Sequence, residues 1–503
     1  MRTLIACLAA LVAVVCDLGP ASAQTLRIGI NNDPDILDPT MSRTYVGTVV
    51  MSALCDKLVD FDAKLNLVPR LATSWEWTDS QTLVMHLRPN VLFQDGEKFD
   101  AAAVKYTIDR NLTFPQSFRR AEILSADHIE IVDPLTVRIV MKQPAVQWVA
   151  ALTDRSGMMV SPRAAEAAGP AFGQHPVCAG PFKFAERVAQ DHITLERFPL
   201  YWDASAVHFD KVTYRVMTDS AVRLANLQAG ALDLTDIVPT DVDTVKRDPN
   251  LVISSAGGLG YAGLTINLGK NPRAETPLGR DARVRQALSL SIDRDAVIQV
   301  VFNGQYEANA QPVSSIHPLH VDTVKPPARD VAKAKALLAE AGVKLPIPVS
   351  LTIANSPQNI QVAEVIQSMV REAGFDLQVT TMDFGASLSA TQKGDFAVSI
   401  GGWSGLLDPD SNVWQFLHTG GSLNIAQYSN PDVDTSLDQA RAASDPAQRR
   451  ALYAKVWEIE GRDLPIIYLW TPRYIFGHTA KLTGFQTMPD GLLRLQGVSL
   501  APQ

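Results

Sequence analysis

No dense run of lysine and arginine occurs anywhere in this chain. Its 45 basic residues face 53 acidic ones, for a formal net charge of −8. That balance excludes a nucleic-acid surface. Long apolar runs are also missing. The one candidate, Leu4 to Val15, is too short to span a bilayer, and no later stretch is longer, so a soluble mature chain is expected. Internal repeats and low-complexity segments are absent as well. At 503 residues, 46% hydrophobic and 19% charged, the chain is a globular protein too long for one ordinary core, and two or three domains are expected.

Enzyme signatures are also wanting. Gly402-Trp403-Ser404-Gly405 has no glycine at 406, so it is not a nucleophile elbow. Leu268-Gly269-Lys270 has Leu264 where a phosphate loop needs glycine. Gly258-Leu259-Gly260-Tyr261-Ala262-Gly263 spells a dinucleotide fingerprint, but a strand-like alternation, Leu264 to Leu268, follows where a helix is required. It reads instead as a close-packed turn feeding a strand, with Tyr261 lining a cleft or packing in the core. His317 and His320 sit in a Pro-rich loop without a second pair, and His418 is isolated, so no metal site is read from them. No acidic pair is placed for glycoside hydrolysis. No cofactor is implied, and an exported hydrolase is the runner-up class, with an exported chaperone or chemoreceptor-coupled sensor behind it.

The first 23 residues read as an export signal. Arg2 supplies the charge, Leu4 to Val15 the apolar core, and Ala21-Ser22-Ala23 the cleavage site. Ala13-Val14-Val15 before Cys16 lacks the leucine and the small residue of a lipoprotein signal. Cleavage near Ala23 removes Arg2 and Asp17 and leaves the net charge unchanged. Two cysteines survive, Cys55 and Cys178; for an exported protein these are either one disulfide or two buried thiols.

The most distinctive stretch is Gly401 to Trp414, G-G-W-S-G-L-L-D-P-D-S-N-V-W, after an apolar strand at Phe396 to Ile400. Glycines admit a close backbone approach, indoles offer apolar faces with one donor each, and Asp-Pro stops regular structure. This is either a pocket wall or a surface turn with two core tryptophans. Earlier, the strand Thr25 to Ile30 runs into a polar loop carrying Ser42-Arg43-Thr44-Tyr45, followed by a helical pattern from Val46 to Leu58. In open α/β sheets such loops line the ligand crevice.

Ordered motifs then follow. Pro69 to Trp75 reads P-R-L-A-T-S-W, and Leu87 to Val104 reads L-R-P-N-V-L-F-Q-D-G-E-K-F-D-A-A-A-V. Gly180-Pro181-Phe182-Lys183-Phe184, Tyr201-Trp202-Asp203, Arg223 to Asp233, Arg283 to Arg294, Ala332 to Gly342, Tyr428 to Asp432 and Leu464 to Leu469 continue the series. In these motifs the chain resembles family 5 of the extracellular solute-binding proteins of ABC importers, which carry peptides, nickel and opines. The resemblance spans essentially the whole mature chain. It implies a two-lobed α/β periplasmic binding protein fold of type II, with an extra domain inserted in lobe I. Lobe I is expected at 25–45, 180–268 and 478–503, the insertion at 46–179, and lobe II at 269–477. Asn271 to Gly279 is the expected crossover. Helices stopped by Gly342 and Gly374 are expected at Ala332 to Ala341 and Asn359 to Ala373. In that architecture Cys55 and Cys178 both fall where the insertion joins lobe I, which favours the disulfide.

The resemblance also implies a function: a periplasmic monomer that captures a peptide-like or small organic solute between its lobes and delivers it to inner-membrane permease subunits and their ATPases. Expected ligand-binding residues are Arg43, Thr44, Tyr45, Tyr261, Asn355, Trp403, Ser404, Leu406, Asp408 and Trp414. In the family's dipeptide and oligopeptide binders an aspartate after Gly-Trp pairs with the peptide amino group, and that position here is Leu406. The arginine that takes the carboxylate in dipeptide binders is absent from Ala354-Asn355-Ser356-Pro357. A charge-assisted hydrogen bond contributes about 1.5–3 kcal/mol, and an unpaired buried charge costs about 3–5 kcal/mol. An ordinary zwitterionic dipeptide is therefore expected to bind poorly. Arg43 and the indoles instead suit a ligand with an anionic group and an apolar or sugar-like face.

Overall fold

Short apolar strands that end in polar loops assemble into two open sheets. The computed structural model describes residues 24–501, so the export signal expected at 1–23 lies outside the described residues. The first sheet has seven strands, in the order Leu251–Gly257, Arg473–Thr479, Leu234–Asp236, Thr25–Ile30, Lys211–Val216, His192–Arg197 and Phe182–Val188. Thr25–Ile30 lies parallel to both its neighbours and buries Leu26, Ile28 and Ile30. The second sheet has six, in the order Glu307–Ala308, Ile466–Thr471, Tyr261–Ile266, Val398–Trp403, Ile347–Ala354 and Phe375–Met382. Each sheet packs its helices around its own apolar core, the two-lobed arrangement that the motifs imply.

Local chemistry sets the helices where the sequence places them. Asp100 accepts from the N–H groups of Ala102 and Ala103 and opens Ala101–Thr113. Val331–Glu340 and Pro357–Arg371 both stop short of a glycine at positive φ, Gly342 at 67° and Gly374 at 107°. Pro357–Arg371 buries Val362, Ala363, Ile366 and Val370, the stripe of a helix with one face on a sheet.

Two strand pairs carry the chain between the sheets, at places that shift the expected boundaries. Tyr261–Ile266 pairs with Val398–Trp403 and so belongs to the second sheet, which puts the first crossing at Gly258-Leu259-Gly260 and not at Asn271 to Gly279. Arg473–Thr479 pairs with Leu251–Gly257 in the first sheet, so the return crossing is at Pro472 and not at 477. The two crossings touch: the Gly258 N–H donates to the Pro472 carbonyl at 2.9 Å. This accounts for the glycine motif. A Cβ at Gly258 would meet the Pro472 oxygen at 2.7 Å, one at Gly263 would meet the Ile467 oxygen at 2.6 Å, and one at Gly260 would overlap the Trp403 carbonyl.

A third core lies within the insertion, under the four-stranded antiparallel sheet Ala72–Asp79, Thr82–Leu87, Thr136–Met141 and Ala126–Asp133. It starts at Leu58, later than expected. The helix Tyr45–Leu54 packs Val49, Val50, Met51 and Leu54 into the first-lobe core, which Val160 and Phe172 also enter on the return path. Where the insertion leaves and rejoins, Cys55 and Cys178 form a buried disulfide, with Cα atoms 4.8 Å apart. Beside it the Gly180 N–H donates to the Leu54 carbonyl at 2.9 Å. The bridge closes a loop of sequence separation 123, so replacing both cysteines by alanine is expected to lower unfolding stability by about 2–4 kcal/mol in urea. Thiol trapping of the unreduced protein should label neither cysteine.

Candidate functional site

Two loops, one from the carboxyl end of a strand in each sheet, meet at the crossings. In lobe I the loop after Thr25–Ile30 is built on aspartates. Asp35 accepts from Ser42 Oγ at 3.0 Å, Thr44 Oγ1 at 2.7 Å and the Arg43 N–H at 2.8 Å. Burial pushes this carboxyl up, but those hydrogen bonds hold it below the usual range. Asp38 is fully buried and takes Arg110 in a two-pronged pair at 2.7 and 2.9 Å. The Ser42 carbonyl accepts from Arg119 at 3.2 Å and Arg155 at 3.1 Å. A loop so tied presents the exposed Arg43 side chain at the cleft, 4.9 Å over the Phe118 ring. Among the described residues no carboxylate pairs with that guanidinium.

On the lobe II side the strand runs through both glycines to Trp403, with Gly402 opposite Ala262 and Gly401 opposite Gly263. The next turn is held by Asn412, which no motif in the sequence marks. Asn412 Oδ1 accepts from Trp403 Nε1 at 2.8 Å and from the Leu406 N–H at 2.6 Å, while its Nδ2 donates to the Leu406 carbonyl at 2.8 Å. The Asp-Pro-Asp stretch is a helix start, with Asp408 as the cap and Pro409 first in Pro409–Leu417. That helix is what delivers Asn412.

Between the loops lies a cavity of about 50 Å³. Arg43, Tyr45, Trp403, Ser404 and Leu406, five of the residues named from the sequence, line it. Its volume gives room for a few water molecules at most, whereas sites for drug-sized ligands run to about 300–1,000 Å³. In this arrangement of the lobes the cavity is too small for a peptide-sized solute. Phe61, Leu259, Leu407 and Met488 form one buried apolar cluster against the cavity and bring the insertion, a crossing, lobe II and the C-terminal segment together. Tyr45 donates to the Gly491 carbonyl at 2.6 Å and stacks on Tyr474, and the Tyr474 hydroxyl reaches across to the Ser404 carbonyl at 3.3 Å.

Five expected site residues have other work. Thr44 caps the helix Tyr45–Leu54 by accepting from the Gly47 N–H at 3.2 Å. Tyr261 is buried against Phe416 and Tyr468. Asn355 is exposed at the end of Ile347–Ala354 and does not line the cavity. Asp408 is buried in a two-pronged pair with Arg449 at 2.7 and 2.9 Å. Trp414 stacks on His418, donates to Asp438 at 2.9 Å and lies under Arg441. His317 is a tie between loops: its Nε2–H donates to the Leu407 carbonyl at 2.7 Å, and its Nδ1 accepts from the Leu319 N–H at 3.0 Å.

Asp154, Arg155 and Asp490 also line the cavity and were not expected. Asp154 pairs with Arg155 at 3.3 Å; burial raises that carboxyl, but Arg155 and Arg119 hold it low. Asp490 pairs with Arg494 at 2.8 Å, Arg494 with Asp60 at 2.7 Å, and Asp60 with Lys57 at 2.9 Å. This run of alternating charges fastens the C-terminal segment to the insertion. No local sequence pattern marks these residues, because chain segments far apart in sequence supply them.

The Asp408–Arg449 pair yields a direct test. Asp408→Asn is expected to lower stability by about 3–5 kcal/mol, because it leaves Arg449 buried without a counter-charge. Burial raises Asp408, but Arg449 holds it below the usual range. Its contribution is therefore present above the unfolded value of about 3.9 and is lost as the pH falls further. Urea unfolding should show the gap between wild type and Asp408→Asn narrowing below about pH 4.

Comparison with known proteins agrees with the geometry. The sequence profile of bacterial extracellular solute-binding proteins, family 5, matches residues 66–424. The chain is 30% identical over 496 residues to the glutathione-binding protein GsiB of Pectobacterium atrosepticum, covering 95% of each. It is 28% identical over 486 residues to that of Escherichia coli K12, covering 93% of each. Among solved structures, it superposes on the Helicobacter pylori periplasmic binding protein DppA in complex with the peptide STSA. The TM-score there is 0.85 at 25% identity, over 95% of this chain and 98% of the other. AgaA of A. tumefaciens R10, in complex with agropinic acid, gives a TM-score of 0.85 at 25% identity, over 95% and 99%. With the profile, the relatives and the fold all in agreement, this chain belongs to family 5 of the bacterial extracellular solute-binding proteins, the solute-capturing components of ABC importers.

Proposed function

We propose that this protein captures an anionic, peptide-like solute of about tripeptide size, with glutathione, the ligand named for its relatives, as the first candidate. The observation that carries this reading is the Arg43 guanidinium, which lines the cavity without a carboxylate partner among the described residues. The other lining charges, Asp154, Arg155 and Asp490, already sit in pairs. A solute with more carboxylate than ammonium supplies the missing charge, and Trp403 and Phe61 offer it apolar faces. An opine acid has the same charge character, in keeping with the agropinic acid in AgaA.

Binding and delivery follow from hinge closure. Contacts from both lobes favour the closed form in proportion to the ligand's preference for it. Closure brings Trp403, Ser404 and Leu406 over the Arg43 side, and the permease with its ATPases reads the closed form. The chain acts as an exported monomer, cleaved near Ala23, with no catalytic step.

Thermal-shift and calorimetric titration of the mature protein with glutathione, an opine acid and plain dipeptides such as Met-Leu tests the reading. Saturating ligand at about a hundred times its Kd adds roughly 2.7 kcal/mol of stability. The anionic solutes should give the larger shifts and be recovered unchanged. Arg43→Gln should weaken their binding about ten- to a hundredfold with no change in the ligand-free melting temperature. Plain dipeptides binding more tightly than both acids, or an unchanged affinity in Arg43→Gln, would overturn it.

A further inference from the structure

Lobe II holds a second cavity, of about 290 Å³, that shares no lining residue with the first. Its size is close to the lower bound for small-molecule sites, roughly 300 Å³. Its walls are largely apolar, from Leu290, Val324, Pro327, Leu337 and Leu464. One charged group lies inside. Arg294, the first residue of the helix Arg294–Phe302, is 5% exposed and lines the cavity.

The partners of Arg294 are all neutral. Its Nε donates to the Tyr468 carbonyl at 2.9 Å, and its terminal nitrogens to Ser289 Oγ at 3.0 Å and the Ser289 carbonyl at 3.4 Å. The adjacent Asp293 is used elsewhere, as a cap accepting from the Ala296 N–H at 2.9 Å. Buried charges are ordinarily paired. Burial lowers this guanidinium to about 10, with nearby Asp295 partly offsetting the shift without pairing with it, so it remains cationic at neutral pH. Two exposed lysines, Lys325 and Lys333, stand on the rim. Among the described residues no carboxylate forms an ion pair with any of these three cations, whereas nearby Arg329 and Arg450 are paired with Glu372 and Asp322. In a chain of net charge −8, a pocket with one buried and two rim cations and an apolar wall is an unusual concentration of positive charge.

We propose that this cavity binds a small organic anion, with a carboxylate head at Arg294 between Lys325 and Lys333 and an apolar body along Leu290, Leu337 and Leu464. It is a site separate from the interlobe cleft. Para-bromobenzoate is a suitable probe, with para-bromobenzamide as its uncharged counterpart. Calorimetry on the mature protein should give saturable binding of the acid, with a bromine anomalous peak in this cavity in crystals. The amide, and the rim variant Lys325→Glu/Lys333→Glu, should bind at least about tenfold more weakly. The rim lysines are exposed, so that variant should keep the wild-type melting temperature, and Arg43→Gln should leave binding of the probe unchanged. No bromine peak in this cavity, equal binding of acid and amide, or wild-type affinity in the rim variant would overturn the assignment.

Discussion

The Gly258 N–H and the Pro472 carbonyl meet where the two crossings run side by side, and the rest of the molecule is arranged about that contact. Each crossing is the seam between a strand of one sheet and a strand of the other, so neither sheet can shift without bending the chain here. The approach leaves no room for a side chain at 258. It also sets the strand ends of the two lobes face to face. Tyr474, two residues past Pro472, stacks on Tyr45 of lobe I and donates to the Ser404 carbonyl of lobe II. The crossings and the cavity are thus neighbours: Leu259 of the first crossing lines the cavity, beside Tyr45 and Ser404, which Tyr474 contacts.

Electrostatics gives the cleft its character. Around the cavity, buried charge is tied up in pairs and chains: Asp38 with Arg110, Asp154 with Arg155, and Lys57 through Asp60 and Arg494 to Asp490. Buried pairs add little net stability, but breaking one is costly, so they fix geometry. Against that background Arg43 differs, since its loop is held by Asp35 through the Arg43 backbone and the side chains of Ser42 and Thr44, leaving the guanidinium over the Phe118 ring with no carboxylate partner among the described residues.

Much of this was legible in the sequence, for local reasons. Strand Thr25–Ile30, the cap at Asp100 and the glycine stops at 342 and 374 follow from alternation, side-chain capping and positive φ. Arg43 and Tyr45 stand out as part of the loop after the first strand, and Trp403, Ser404 and Leu406 as part of the Gly-Trp stretch singled out by the family resemblance; all five line the cavity. What failed depended on partners distant in sequence. Asp408 looked free because Arg449, which claims it, lies 41 residues away. With Asp408-Pro409 as a turn, Trp414 would stand in a pocket wall. As a helix start, it aims the indole at Asp438 and Arg441. Asp154, Arg155 and Asp490 were invisible because only the fold brings the insertion and the C-terminal segment to the cleft. The crossings were misplaced because Pro and Gly at Asn271 to Gly279 mark a loop as strongly as they would mark a domain boundary.

Selection of an anionic, peptide-like solute by the interlobe cleft, as proposed, is open to one direct test. Native mass spectrometry of the protein drawn from the extract of the organism that encodes it tests this without a preselected ligand panel. The expected result is a bound species of tripeptide-like mass that carries net negative charge and is displaced by glutathione or an opine acid. A neutral or cationic dipeptide as the dominant bound species, not displaced by either acid, would contradict it.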